Sequence, residues 1–170
     1  MKAIKFIMAL LLIATFFTAK ATDFKTAFNA VVQNYLEIKN ALAADNSKAA
    51  NVAAKKFTDA LKNIPAAALL SNQKSAWEKY SEQLRFDGEH IGESTSISHQ
   101  REHFGKLSNN FYALLKAFKQ NEQPLYQQYC PMAKQYWLSE STTIKNPYLG
   151  KQMIECGETK ETLKAAVAKK

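Results

Sequence analysis

The sequence predicts an all-α fold, an antiparallel four-helix bundle with an irregular, aromatic-rich C-terminal segment packed on it. Apolar residues recur at helical spacing from residue 23 to about 118. In that stretch no glycine precedes Gly88, and Pro65 is the only proline. The texture changes after Gln123-Pro124, where tyrosine, tryptophan and turn residues replace the helical pattern.

The first two helices are expected over about 23–44 and 47–63. An apolar stripe defines the first, and Thr22 or Asp23 can serve as its N-cap. The second is rich in alanine, whose small side chain allows helices to approach closely. Pro65 ends it, because proline cannot continue a helix.

The third and fourth helices are expected over about 71–93 and 96–119. Short links between amphipathic helices are typical of an antiparallel bundle. The expected inner faces are Ala76, Trp77, Tyr80, Leu84, His90 and Ile91 on the third helix, and Ile97, Phe104, Leu107, Phe111, Leu114, Leu115 and Phe118 on the fourth.

We interpret residues 22–170 as one domain, with the bundle at 22–123 and the C-terminal segment at 124–170. Residues 125–130 are compatible with a strand or extended chain, and 158–168 with a short closing helix. The segment is short for a separate domain and rich in large aromatics, so we expect it to pack against the helices.

The N-terminus has the pattern of a secretory signal at residues 1–21. A short lysine-containing start precedes an apolar run at 6–17, and a small-x-small site follows at 19–21. The run is shorter than the roughly 20 residues of a membrane span. We expect cleavage after Ala21 and a periplasmic or secreted protein with no stable membrane insertion.

The formal net charge of +8 comes almost entirely from lysine, since Arg85 and Arg101 are the only arginines. Nucleic-acid-binding proteins concentrate arginine and stacking aromatics on one face. Here the lysines are interspersed with glutamates. We therefore expect a solvated basic surface and no nucleic-acid partner.

Two sulfur clusters near the C-terminus carry the strongest chemical signal. Cys130 and Met132 are two residues apart and share a side of an extended segment. Met153 and Cys156 are three apart and share a face of a helical turn. Thiolate and thioether ligands together favour soft metals such as Cu(I).

The same cysteines permit a different interpretation, a Cys130–Cys156 disulfide with the methionines as apolar filler. The bridge would close a loop of about 26 residues and contribute on the order of 3 kcal/mol. Export to an oxidising compartment allows it. The residues alone favour this alternative, a disulfide-stapled interaction module of the cell envelope with no metal. A thiol-dependent redox protein is a third interpretation, which requires a depressed cysteine pKa and a neighbouring base.

The three histidines supply further candidate ligands. His99 and His103 lie four residues apart on the fourth predicted helix, so they share a face and can chelate one metal. Gln100 stands where a zinc protease would need its glutamate, which leaves hydrolysis unsupported. His90, on the third helix, is the other candidate. The sequence shows no catalytic triad, phosphate loop or dinucleotide motif, and we expect no enzymatic activity.

The sequence also contains several short motifs whose order along the chain matches that of a known family. They are ISHQREHF at 97–104, LS at 107–108, YCPMA at 129–133, WLS at 137–139, IKNPY at 144–148 and GKQMIECG at 150–157. Together they resemble an exported bacterial domain of unknown function, family 3347 of that series, over nearly all of the chain after the signal. One departure is the stretch between Met132 and Trp137, which is shorter than the glycine-containing loop of the family.

The resemblance implies a helical bundle with a role in binding or delivering metal. Members of that family occur as small secreted proteins, or beside and fused to periplasmic adaptor subunits of copper/silver-type efflux systems. The resemblance also implies the recurrent polar and sulfur positions. These fall on His90, His103, Cys130, Met132, Met153 and Cys156, whereas His99 is less regular and ranks lower.

With the resemblance included, we favour periplasmic binding of a soft or borderline metal ion, Cu(I) first and Zn(II) next. The expected role is buffering, or hand-off to a heavy-metal efflux adaptor. We expect three or four of those six side chains to hold one ion. Reduced cysteines would bind Cu(I), and their oxidation would release it.

Overall fold

The structure, a computed structural model, describes residues 23–166, so the predicted signal peptide lies outside the described residues. Four α-helices come first along the chain and three β-strands follow. The helices are α1 Phe24–Ala43, α2 Ser47–Lys62, α3 Ser71–Glu93 and α4 Ile97–Phe118; the strands are β1 Leu125–Cys130, β2 Gln135–Ser139 and β3 Glu158–Leu163. Within the described part of the chain, no helix is both long and apolar enough to cross a membrane.

Side-chain caps set the starts of three helices. The carboxylate of Asp23 accepts a hydrogen bond from the backbone N–H of Thr26, and Asn46 and Ser96 cap α2 and α4 in the same way. Such caps satisfy N–H groups that the helix itself leaves unpaired. The four predicted helices are thus confirmed, and Asp23 is the N-cap of the first.

The helices share an aromatic core. Helices that follow each other in the chain pack against each other. The Tyr35 ring lies 4.8 Å from that of Phe111 and 5.4 Å from that of Phe104, centroid to centroid, so α1 also reaches α4. Phe57 of α2 meets the edge of Phe111 at 5.9 Å. The antiparallel order of a bundle stays a prediction.

The C-terminal segment corrects the predicted fold class. We expected an all-α protein with an irregular segment at 124–170, in which only 125–130 was compatible with a strand. The segment contains a three-stranded antiparallel sheet in the order β2-β1-β3, with β1 at residues 125–130. The proposed closing helix at 158–168 was also wrong, because β3 pairs with β1 there. Gln127 and Gln128 interrupt the apolar pattern of β1, yet Gln128 is buried and its amide donates to the carbonyl of Ser141.

One buried hydroxyl joins the helices to the sheet. The Tyr35 hydroxyl lies 2.9 Å from the Ser108 hydroxyl on α4 and accepts a hydrogen bond from the backbone N–H of Leu138 on β2, at 3.0 Å. All three residues are buried. Burial raises the pKa of Tyr35 above its ordinary value, so the hydroxyl stays protonated and can bridge both neighbours.

A second link is an ion pair between α1 and the chain after β2. The ammonium of Lys39, whose side chain is only 1% exposed, lies 2.8 Å from Glu140. Burial opposes ionisation of Glu140, but hydrogen bonds from Lys39 and Asn40 outweigh it and lower the pKa of Glu140. This pair holds the end of β2 against α1.

Replacing Tyr35 by Phe should lower the free energy of unfolding by about 1–3 kcal/mol, because the N–H of Leu138 loses its acceptor inside the core. Urea denaturation measures the change. Tyr126→Phe is the matched control, since its hydroxyl makes no hydrogen bond to a described residue; it should stay within about 0.5 kcal/mol of the parent. Equal effects of the two changes would refute the assigned role of Tyr35.

Glu140→Gln should lower stability at neutral pH and lose that effect in acid. A carboxyl whose pKa is depressed by folding stabilises the protein above its unfolded value, here 4.5, and this contribution is lost as pH falls through the folded pKa. The difference in unfolding free energy between parent and variant should therefore shrink as pH falls from 7 to below that folded pKa. Urea titrations at several pH values measure it, and a constant difference would contradict the pairing.

Candidate metal centre

Three histidines from two helices converge. His90 lies on α3, His99 and His103 lie on α4, and their ligand atoms are all within 4.8 Å of one another. The rings of His90 and His103 stack at 4.4 Å with planes 7° apart, while His99 meets His103 edge-on at 4.5 Å. His103 is buried and the other two are half-buried, so the cluster opens to solvent on one side.

A buried carboxylate orients one of the three imidazoles. Oδ1 of Asp87, which is fully buried, lies 2.8 Å from Nδ1 of His103. The second oxygen of Asp87 accepts a hydrogen bond from the Gln83 amide at 3.2 Å. A carboxylate can only accept, so it favours the tautomer with the proton on Nδ1 and leaves Nε2 of His103 free to bind a metal.

The Gln100 side chain fixes the junction between α3 and α4. Gln100 is fully buried, and its amide nitrogen donates to the carbonyls of Ile91 and Ser94 at the end of α3. These bonds satisfy carbonyls that a helix end leaves unpaired. Since His90 precedes this junction and His99 adjoins Gln100, the same bonds set the spacing between the two histidines.

An aromatic ring lies beside the cluster. Phe86 is 47% exposed, and its ring centroid is 4.3 Å from that of His90 and 5.9 Å from that of His103. The ring excludes water from one side of the imidazoles. An apolar wall of this kind strengthens the electrostatic interaction between an ion and its ligands.

The arrangement can hold a metal ion. Zinc–nitrogen bonds are about 2.0–2.1 Å, so three nitrogens of a tetrahedral site lie about 3.4 Å apart. The cluster must therefore contract by up to about 1.4 Å from its 4.8 Å limit. Half-buried His90 and His99 can make that movement by rotation of their side chains. Three protein ligands would leave a fourth position open.

The cysteines form a separate group. Cys130 ends β1 and Cys156 lies in the turn before β3; both are free thiols, with their sulfur atoms 3.3 Å apart. The disulfide of the alternative interpretation is therefore not found. The side-chain amide of Asn146, a fully buried residue, donates to the carbonyl of Cys156 at 2.6 Å and so fixes the turn.

The two thiols differ in acidity. Burial opposes ionisation of Cys130, but the backbone N–H of Ala133 at 3.3 Å and hydrogen bonds from Cys156 and Asn146 lower the pKa of Cys130. Donating its proton to Cys130 raises the pKa of Cys156.

Four of the six predicted ligands fall into two separate pairs. His90 and His103 meet each other, and Cys130 meets Cys156, but among the described residues no cysteine belongs to the histidine cluster. His99, which the resemblance ranked lower, is a full member of that cluster. Met132 and Met153 are 62% and 41% exposed.

Sequence reasoning missed Asp87 entirely. Asp87 lies three residues before His90, so it shares a face of the third helix with a residue that was predicted to point inward. A charged residue on the inner face of an amphipathic helix is unusual unless it is paired. That signal was available and would have indicated a partner such as His103.

Comparison with known proteins gives one family. Residues 31–123 match the family described as Protein of unknown function (DUF3347). The chain belongs to this family. The DUF3347 match includes most of α1, all of the other three helices and the three histidines, and ends before β1. No curated protein and no solved structure matches the chain.

Asp87→Asn should weaken metal binding by about 10–100-fold, the usual cost of losing the carboxylate behind a ligating histidine. Glu89→Gln is the matched control, because Glu89 is also on α3 but pairs with Arg85. Competition titration with Zn(II) measures both affinities. An Asp87→Asn affinity equal to that of the control would remove the carboxylate from the site.

Proposed function

We propose that this DUF3347 protein binds a soft or borderline metal ion through His90, His99 and His103. The observation that carries the proposal is the convergence of three imidazoles from two helices on one point. The buried carboxylate of Asp87 supports it, since ligating histidines almost always donate their second nitrogen to such a group.

The donor set favours copper first and zinc second. Imidazole nitrogen suits both metals, and divalent copper binds a given nitrogen site more tightly than divalent zinc. The sequence-based preference for Cu(I) rested on the thiolate and thioether ligands, and the histidine cluster contains no cysteine. At the histidine cluster the proposal is therefore a copper ion without a fixed oxidation state, with Zn(II) as the competitor.

The proposed role is buffering or hand-off of the ion, not catalysis. Two of the three histidines are half-buried, which leaves an exchange route for the ion. The signal-like residues 1–21 support a periplasmic or secreted location. The resemblance stated above supports a heavy-metal efflux adaptor as the receiving partner.

The decisive experiment removes histidines in a background where the cysteine pair is broken. Full-length protein carrying Cys156→Ser, a change at the half-buried thiol, is titrated calorimetrically with Cu(II) and, separately, Zn(II). We expect one ion per chain and, in His90→Ala/His99→Ala, which changes the two half-buried ligands and keeps the Asp87–His103 pair, an affinity lower by about 100-fold or more, since even outer partners of a ligand contribute about 10–100-fold.

Asn109→Ala is the control, a polar side chain exposed on the same helix as His99, and it should bind like the parent. Unfolding gives an independent readout: metal at 100 times its dissociation constant should stabilise the parent by about 2.7 kcal/mol. Unchanged binding in the double histidine variant would overturn the proposal.

A further inference from the structure

We propose that Cys130 and Cys156 form a second metal site, which binds one Cu(I) ion as a pair of thiolates. This site is separate from the histidine cluster and does not rest on it. The observation behind it is that two free cysteines, 26 residues apart in the chain, present their sulfur atoms to each other at 3.3 Å.

The geometry needs only a small opening to admit an ion. With metal–sulfur bonds near 2.3 Å, two thiolates on one ion lie about 3.8 Å apart at a tetrahedral angle and about 4.6 Å apart in a linear arrangement. The sulfurs must therefore separate by roughly 0.5–1.3 Å from their 3.3 Å distance. Cys130 is fully buried and Cys156 is half-buried, so Cys156 is the side that moves and the side from which the ion enters.

A backbone donor already beside the Cys130 sulfur can stabilise the negative charge of the Cu(I)-bound state. Two thiols release two protons to solvent and one Cu(I) binds, which leaves a net charge of −1 on the ion and its two sulfurs. The backbone N–H of Ala133 already donates to the Cys130 sulfur at 3.3 Å. Such N–H donors stabilise thiolate charge.

The turn that carries Cys156 is built to approach β1. Gly157 has φ +152°, a conformation that side chains rarely adopt, and a Cβ there would lie 2.8 Å from the Trp137 ring and 3.0 Å from the Tyr129 carbonyl. The Asn146 amide holds the Cys156 carbonyl from the other side. The backbone around Cys156 is therefore held in place before any ion arrives, and only its side chain needs to move, which reduces the ordering cost of binding.

Two exposed thioethers accompany the thiols. Met132 lies two residues after Cys130, and Met153 lies three residues before Cys156. Both methionines are exposed, although methionine is among the residues most often buried. Thioether sulfur is a soft ligand that selects Cu(I). We assign these two side chains to the entrance of the site, as exchange ligands for the incoming ion.

The test is an anaerobic titration of fully reduced, full-length protein with Cu(I) against a chromogenic chelator. The variants are Cys130→Ser/Cys156→Ser, His90→Ala/His99→Ala and Met132→Leu/Met153→Leu, with free thiols counted before each run. We expect the histidine variant to retain tight binding of one Cu(I). The cysteine variant should lose affinity by about 100-fold or more, and the methionine variant should keep the stoichiometry but exchange the ion more slowly.

Several results would overturn the assignment. They are unchanged Cu(I) affinity in the cysteine variant, loss of the tight ion in the histidine variant, and loss of the ion in the methionine variant, which would make the thioethers the primary ligands. If the cysteine variant does not fold, the single variant Cys156→Ser replaces it, because that thiol is half-buried. Absence of binding by reduced parent protein would leave a reversible disulfide as the use of this pair.

Discussion

The Tyr35 hydroxyl is the constraint on which the rest of the molecule depends. Its ring belongs to the aromatic core of the helices, while its oxygen accepts the N–H of Leu138 from β2 and meets Ser108 of α4. A buried N–H without an acceptor is costly, so this hydrogen bond favours the observed position of β2 on the helices. That position in turn fixes β1, which pairs with β2 along its length and carries Cys130 at its end.

Arg101 connects the two candidate sites. It lies between His99 and His103 in α4, yet its guanidinium reaches the other way, to the carbonyl of Pro147 at 2.8 Å and to Asp45 at 2.6 Å. Pro147 follows Asn146, the residue that holds the Cys156 carbonyl. One helical turn therefore supplies two imidazoles to the first cluster and supports the loop that places a thiol of the second. The two clusters use different donor atoms, nitrogen in one and sulfur in the other, and so they suit different metals or oxidation states.

Local patterns made the helices predictable, and non-local pairing hid the sheet. Apolar spacing and the cap at Asp23 are properties of neighbouring residues, and they located all four helices from sequence. The pairing of β1 with β3 joins residues more than 25 positions apart, and β3 itself is mostly exposed and has a single apolar residue, Leu163, so its sequence carries no period-two signal. The histidine cluster was likewise predictable only where its residues are close in sequence. Spacing along α4 put His99 and His103 together, whereas their distance from His90 and from the cysteines depended on tertiary packing.

Gln100 shows why the helix pattern alone misleads about chemistry. In the string His99 to His103 it holds the position where a zinc protease would place its glutamate, and from sequence the argument against hydrolysis was only the missing carboxylate. In the fold Gln100 is fully buried and its amide nitrogen donates to carbonyls at the end of α3, away from open solvent. A glutamate there would lose those donated bonds and bury an unpaired charge, which is strongly destabilising. The fold therefore requires at this position a side chain that donates hydrogen bonds between helices, which glutamine does and glutamate cannot.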